Sequence, residues 1–218
     1  MISTQQSLVA KLQAGGSDSD WERFEALYKR PILAFAASRS LNEFDCCDVF
    51  QEFSIRMHRV GFSRFDPKKG RFSTFLFKVA DGLVKDAIRR RACAETRHIR
   101  IRLQSRENSA LSQNSMVTAQ LQDPGKDPAQ AAEWQGQLAL VHTVLDFLLK
   151  QNCFRPKTIS LFQAVTFEQK SAAEAARSFH TSIGNVYEAK RAVLAKLKSM
   201  LRAIDNGLDL EQALEAVS

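Results

Sequence analysis

Three carboxylates on one predicted helix form the first group whose spacing could support chemistry. Asp45, Asp48 and Glu52 recur at steps of three and four, which places them on one helix face. Such a face could hold a divalent cation, because Mg²⁺ takes carboxylate oxygens as ligands. However, no histidine or further carboxylate motif accompanies them, and Arg56 on the same face would neutralise the cluster. A solvated face or a partner-docking face is the better interpretation, and no metal site is predicted.

Nothing else in the sequence indicates catalysis. The histidines are scattered, and no glycine-rich phosphate-binding or dinucleotide-binding pattern is present. We therefore predict that the protein is not an enzyme and takes no cofactor.

Basic and aromatic side chains alternate between residues 64 and 91. Cations bind backbone phosphates and aromatic rings stack on exposed bases, so the run is typical of a surface for single-stranded or melting DNA. The candidate contacts are Arg64, Phe65, Lys68, Lys69, Arg71, Phe72, Lys78, Lys85, Arg89 and Arg90. The alternative is that most of the phenylalanines belong to the core, which applies most strongly to Phe75 and Phe77.

A second candidate surface for nucleic acid lies between residues 171 and 202. A short helix rich in small residues, a turn and a long helix capped by Thr181 or Ser182 follow the helix-turn-helix layout. The candidate duplex contacts are Ser182, Asn185, Val186, Glu188, Lys190 and Arg191. His180 stands where this turn usually has glycine, and histidine adopts the left-handed conformation at some cost. The alternative is an ordinary helical hairpin with a solvated basic face.

The elements that must position these residues all read as helices, so the predicted fold class is all-α. Helices are expected at 3–14, at 17–35 with a kink or restart at Pro31, and at 43–60. A fourth helix, capped by Ser73 or Thr74, should run to about Arg91 or further. Helices at 138–148 and 156–167 then precede the helix-turn-helix. Two small helical modules, residues 1–104 and 134–204, are joined by a polar linker at 105–133. Residues 205–218 form an acidic tail. Modules so tethered could occupy DNA sites two helical turns apart, about 70 Å.

The charge is segregated along the 218 residues. The chain carries a net +7, with +9 in residues 61–106 and +6 in residues 136–202, and the spacer 107–135 carries −3. Two basic blocks of this kind indicate a polyanionic partner. The four cysteines form no CxxC pair, and no apolar run approaches the roughly 18 residues of a membrane span. We therefore expect a cytoplasmic protein with no membrane insertion.

In their order along the chain, these segments resemble the sigma-70 family of RNA polymerase sigma factors, specifically the small extracytoplasmic-function (ECF) group. Residues 48–53 resemble the DxxQE signature of region 2.2, 64–76 the loop and helix start of region 2.3, 86–91 the end of region 2.4, and the helix-turn-helix region 4.2. The resemblance covers residues from about 5 to 104 and from 134 to 203. Two positions depart from the family pattern, with Phe75 in place of the usual Trp and Gly82 in place of Asn.

The resemblance implies a role and a set of partners. Asp48, Gln51 and Glu52 would bind the β′ subunit of core RNA polymerase, and the β subunit is a further partner that the resemblance implies. The basic-aromatic run would open and hold the −10 element, and the helix-turn-helix would read the −35 element of promoter DNA. An anti-sigma factor is a further partner that the resemblance allows.

Two other functions remain open on the sequence. A stand-alone helix-turn-helix repressor or activator would dimerise and bind a symmetric operator. A metal-dependent nucleic-acid enzyme would use Asp45, Asp48 and Glu52. The acidic tail could fold back on a basic block, bind a regulator or stay solvated, and the linker could be ordered against the modules or loose.

Overall fold

The computed structural model describes residues 7–106 and 128–217, and every regular element in these two stretches is helical. The all-α prediction is therefore confirmed. The α-helices are α1 (Leu8–Gln13), α2 (Asp18–Ala37), α3 (Glu43–Arg56), α4 (Phe72–Arg106), α5 (Pro128–Lys150), α6 (Pro156–Thr166), α7 (Ala172–Ser178), α8 (Ile183–Asp205) and α9 (Leu210–Val217). None of the helices in the described stretches is long and apolar enough to cross a membrane.

Polar residues at helix starts set the bounds of α2 and α3. Ser17 and Asp20 form a reciprocal capping box at the start of α2, and the Asn42 side chain accepts from the Asp45 N–H at 2.8 Å at the start of α3. α2 runs through Pro31 as one helix and continues past Phe35, so of the kink or restart expected at Pro31 the restart does not occur. α3 continues as a π turn over Met57–Gly61, close to the predicted end of this helix.

Two predicted boundaries move in the structure. α4 begins at Phe72, so neither Ser73 nor Thr74 is its cap, and Ser73 is instead 5% exposed inside the fold. α5 begins at Pro128, which makes residues 128–133 of the predicted linker helical. The rest of the linker within 107–127 lies outside the described residues.

One continuous hydrophobic core joins the two predicted modules. It includes Phe24 and Ile32 of α2, Leu145 of α5 and Met200 of α8. α5 packs along α2 and also contacts α4, so it shares a core with the first module. The module boundaries themselves stay a prediction. A second, smaller core holds α6, α7 and the start of α8 together, and its members are Leu161, Ala164, Ala175, Ala176, Val186 and Ala189.

The acidic tail is a folded element. α8 runs through Asp205, and α9 follows a turn at Gly207. Asp209 and Gln212 cap each other, since the Gln212 N–H donates to Asp209 Oδ1 at 2.8 Å and the Asp209 N–H donates to Gln212 Oε1 at 3.3 Å. Of the three possibilities that the sequence left open, the structure shows a tail that folds back onto the chain.

Tyr28 places an unpartnered hydroxyl in this core, which leads to a stability prediction. Within residues 7–106 and 128–217 the Tyr28 hydroxyl has no hydrogen-bond partner, and burial, aided by the nearby Asp205 carboxylate, raises the pKa of Tyr28 well above its usual range. The folded-state pKa lies above the unfolded value of about 10, so the unfolded chain loses the Tyr28 proton first as the pH rises. The free energy of unfolding should therefore be unaffected by this group below pH 10 and should fall at higher pH. Tyr28→Phe should therefore add about 1 kcal/mol at pH 7 and lessen the loss at pH 11.

Urea unfolding of the two chains at pH 7 and pH 11 measures both effects. Tyr187→Phe is the matched control, because Tyr187 is 60% exposed and the substitution removes no hydroxyl from the core. A Tyr28→Phe chain that is less stable than the parent at pH 7 would contradict the prediction.

Candidate partner and nucleic-acid interfaces

The acidic face of α3 is exposed, and its residues are not equivalent. Asp48 and Gln51 are exposed. Glu52 lies between two guanidinium groups, at 3.8 Å from Arg56 and 3.3 Å from Arg90. Asp48 has no ion pair within the described residues, so its charge is available to a partner.

The same face does not form a metal site in the described part of the chain. No group of three His, Cys, Asp or Glu side chains there could hold a metal ion. Asp45 lies 4.0 Å from Arg91, and Glu52 is already paired, so arginines occupy the places that a cation would need. Side chains on α3 therefore suit a docking face better than a metal-binding one.

A groove between α2 and α3 adjoins this acidic face, and the sequence reading missed it. Ile55, three residues after Glu52, is 54% exposed and lines the groove with Trp21 and His58. The Trp21 and His58 rings stack with centroids 4.6 Å apart. Acidic side chains of α2, namely Asp18, Glu22 and Glu25, also line the groove. An apolar floor beside carboxylates suits a partner surface that is both apolar and basic.

The loop before α4 presents exposed cations from a tightly capped turn. Asp66 Oδ1 accepts from the Lys68 N–H at 2.9 Å, and Pro67 begins the 3₁₀ turn Pro67–Lys69. All eight predicted basic contacts of this module are exposed: Arg64, Lys68, Lys69, Arg71, Lys78, Lys85, Arg89 and Arg90. Half of them have acidic neighbours, as in the 2.6 Å contact of Lys85 with Asp81. Arg64, Lys68 and Arg71, at the loop and just before α4, form no ion pair with any described residue.

Two of the predicted aromatic contacts are corrected by the structure. Phe65 is 9% exposed and Phe72 is 1% exposed. Their ring centroids lie 4.9 Å apart in an edge-to-face contact, and Phe72 also meets Tyr28 at 5.6 Å. Rings buried in this way have no free face for a base to stack on. The alternative interpretation, that these phenylalanines are core, holds for Phe65, Phe72 and the 3% exposed Phe77.

In the second basic block, a short helix and a long helix meet at a sharp turn. Ser171 and Glu174 form a capping box at the start of α7, and hydrogen bonds from the Ser171 N–H and hydroxyl lower the pKa of Glu174. His180 has φ +47°, the left-handed conformation expected at that position. Ala175 and Ala176 are buried, which lets the start of α8 cross close to α7.

The start of α8 exposes most of the predicted duplex contacts. Ser182, Asn185, Glu188 and Arg191 are exposed, and Lys190 is half-buried. Val186 is 1% exposed and lies in the small core, so its prediction as a DNA contact is wrong in this structure.

The predicted duplex contacts on α8 differ in how far they are engaged in hydrogen bonds and ion pairs within the chain. Ser182 caps the helix by accepting from the Asn185 N–H at 3.2 Å, and the Asn185 amide donates to Thr181 Oγ1 at 3.0 Å. Arg191 and Glu188 lie 3.8 Å apart and are both largely exposed, so their pairing is weak. Arg191 is therefore the cation of this set most available to phosphate.

Two exposed apolar residues on α8 were missed by the sequence analysis. Ile183 is 47% exposed and Tyr187 is 60% exposed, one helical turn apart. Apolar side chains at such positions can contact thymine methyl groups in the major groove. The sequence held a signal for them, because residues four apart share a helix face and neither residue belongs to the buried stripe that begins at Val186.

These surfaces lie on an all-helical fold of the kind that sigma regions 2 and 4 adopt. Residues 26–93 match the family model of sigma-70 region 2. The matched stretch covers most of α2, all of α3 and the first part of α4, and so includes both the acidic face and the basic loop. Over this stretch, which is less than a third of the chain, the sequence is similar to region 2 of sigma-70 factors. No curated protein and no solved structure gives a significant match to the chain.

Proposed function

We propose that the chain is an ECF-type sigma factor, which binds core RNA polymerase in the cytoplasm and directs promoter recognition and opening. The observation that carries the proposal is the sigma-70 region 2 match over residues 26–93, together with the surfaces inside it. An exposed acidic face and an exposed basic loop lie within one three-helix unit, which suits simultaneous contact with a protein and with DNA. An anti-sigma factor stays a prediction from the family resemblance.

In this proposal, the acidic face of α3 docks on polymerase. Asp48 and Gln51 contact the β′ subunit directly, and Glu52 contributes through its network with Arg56 and Arg90. The exposed Ile55 and the adjoining groove extend the docking surface with an apolar patch. The proposal also includes contacts with the β subunit, to which we assign no particular residue.

The two basic surfaces take different forms of DNA. Arg64, Lys68 and Arg71 at the loop hold the backbone of the −10 strand, and the buried Phe65 and Phe72 keep the loop in place. α7 and α8 act as a helix-turn-helix, in which the first turns of α8 enter the major groove at the −35 element.

Promoter-specific transcription with purified core polymerase tests the function. The full chain should direct initiation at defined start sites on a library of genomic fragments, and the core enzyme alone should not. No stimulation on any fragment would sink the proposal. A homodimer that binds a symmetric operator without polymerase would instead favour a stand-alone helix-turn-helix regulator.

Reversing the charge of Arg191 should weaken duplex binding. Arg191→Glu removes one phosphate contact, so the affinity for a selected promoter duplex should fall about tenfold, and the slope of log K against log salt should decrease by roughly 1. Fluorescence anisotropy at several salt concentrations measures both values. Arg155→Glu is the matched control, because Arg155 is exposed in the same module at the start of α6, away from α8 in sequence. Equal losses for the two variants would contradict a specific role for Arg191.

A further inference from the structure

We propose that α9 is an intramolecular latch, which holds the chain in a closed form that cannot contact the −10 and −35 elements together. The consequence for promoter binding rests on the proposed function. The closed form itself is a property of the protein alone and is tested without DNA.

The latch has its own contacts with α1 and α2. Asp209, at the start of α9, is 3% exposed and lies 3.2 Å from Arg23 of α2. Glu211 reaches the same guanidinium at 3.5 Å. A carboxylate so deeply buried requires a cation, because an unpaired buried charge is strongly unfavourable. The ion pair between Asp209 and Arg23 therefore holds α9 to α2, because breaking it would leave the buried Asp209 carboxylate without a cation.

The turn before α9 adds a backbone contact with α1. The Val9 N–H donates to the Gly207 carbonyl at 3.1 Å. Gly207 has φ +90°, and a Cβ there would lie 3.0 Å from the Val9 side chain, so both the conformation and the close approach require glycine. The N-terminal helix and the end of α8 are thus joined through this turn.

Other contacts close the two modules at the end of α8 and along α5. The Ser73 hydroxyl donates to Asp205 Oδ1 at 2.6 Å, which joins the start of α4 to the last residue of α8. On α5, a Cβ at Gly136 would lie 2.4 Å from the Phe77 ring, so α5 and α4 approach at a distance that only glycine permits. Arg30 of α2 also pairs with Asp146 of α5 at 2.7 Å.

The length of α8 shows why this closed form cannot span a promoter. α8 runs from Ile183 to Asp205, which at about 1.5 Å per residue gives roughly 35 Å. Since Asp205 touches Ser73 beside the −10 loop, the duplex contacts at the start of α8 lie within about 40 Å of that residue. Sites two helical turns apart on DNA are about 70 Å from each other. The modules must therefore separate before both elements are contacted.

The proposed polymerase face stays accessible in the closed form. Asp48 and Gln51 are exposed, and none of the latch residues belongs to α3. Polymerase can therefore bind first, and release of the latch can follow. A free chain held in this way exposes its −35 surface but cannot place that surface and the −10 loop on one promoter at the same time.

Small-angle X-ray scattering of the full chain, compared between two lysine variants, tests the latch. Asp209→Lys sets a second cation against Arg23, whereas Glu215→Lys makes the same charge change at an exposed position of the same helix. A compact chain of this length has a radius of gyration of about 17 Å. We expect Asp209→Lys to raise this radius by at least a fifth and Glu215→Lys to leave it unchanged. Equal radii for the two variants would overturn the latch.

A second pair of variants keeps the test of α9 valid if Asp209→Lys disturbs folding, which circular dichroism would reveal. Gly207→Leu forces the turn before α9 away from the Val9 side chain, and Gly82→Leu adds the same side chain where no atom lies within 4 Å. Gly207→Leu should expand the chain and Gly82→Leu should not. No expansion in either Asp209→Lys or Gly207→Leu would overturn the latch.

Binding to a promoter fragment selected with polymerase tests the inhibitory role. The expanded variants, without polymerase, should bind the fragment at least fivefold more tightly than the parent chain. Expansion without tighter binding would overturn the inhibitory role. If no promoter is found at all, the scattering result still decides the latch, so failure of the proposed function and failure of the latch are distinguishable.

Discussion

Phe72→Ala should lower the free energy of unfolding by about 3–5 kcal/mol, as expected when a fully buried phenylalanine is truncated. The Phe72 ring is 1% exposed and lies at the centre of an aromatic cluster. Its neighbours within 6.5 Å between ring centroids are Phe24, Tyr28, Phe62, Phe65 and Phe75. Removing the ring forfeits these contacts and leaves a cavity that packed neighbours fill only in part. Urea unfolding followed by circular dichroism measures the loss.

Arg71→Ala is the matched control for this prediction. Arg71 precedes Phe72, is exposed and has no ion pair within the described residues, so its removal should change stability by less than about 0.5 kcal/mol. It should weaken binding to a single-stranded −10 oligonucleotide. If Phe72→Ala kept its stability and lost oligonucleotide binding, the ring would act on DNA and not in the core.

The helical fold follows from periodic patterns that the sequence displays openly. Along α3 and into the π turn after it, the steps of three and four between Cys46, Phe50, Phe53 and Met57 predict one buried stripe, and all four are buried. The conformation of His180 could also be predicted from its place in the chain, since a turn of this type needs a left-handed residue there. These features are local, so they can be predicted from neighbouring residues.

The aromatic surface could not be assigned from sequence, because the same residues suit two environments. Phenylalanines interleaved with cations fit both a base-stacking surface and a core beneath a basic loop. Which of the two occurs depends on the packing of α2 against α4, as in the contact of Phe24 with Phe72. Such contacts join segments that are distant in the chain, and local patterns do not report them.

The acidic tail is a second feature that depends on contacts between distant segments and so could not be predicted from local patterns. α9 is an eight-residue helix, and a helix of that length is not stable alone in water. Its stability comes from contacts such as that of Asp209 with Arg23, which are 186 residues apart. The sequence shows an acidic, weakly amphipathic end, and only the folded chain shows the partner of Asp209. The joining of α5 to α2 is a tertiary feature of the same kind.

Asp48→Arg should lower the affinity for core RNA polymerase by about 100-fold, which corresponds to roughly 3 kcal/mol. Asp48 is exposed, and within the described residues it has no ion pair to compensate its charge, so its full charge is available to a basic partner surface. Reversal replaces an attraction with a repulsion at an interface from which water is excluded. Titration of a labelled chain with core polymerase measures the affinity, and promoter-specific transcription should fall in parallel.

Glu43→Arg is the control that separates a specific contact from a general loss of negative charge. Glu43 is exposed near the start of the same helix, and five residues of helix place it on a different side from Asp48. The reversal at Glu43 should cost at most about 1 kcal/mol of stability through the helix dipole and leave polymerase affinity within about threefold. If both variants lost affinity equally, the acidic face would act through its total charge alone. If neither lost it, polymerase would not dock on α3, and the Ile55 groove would have to be tested as the docking surface in its place.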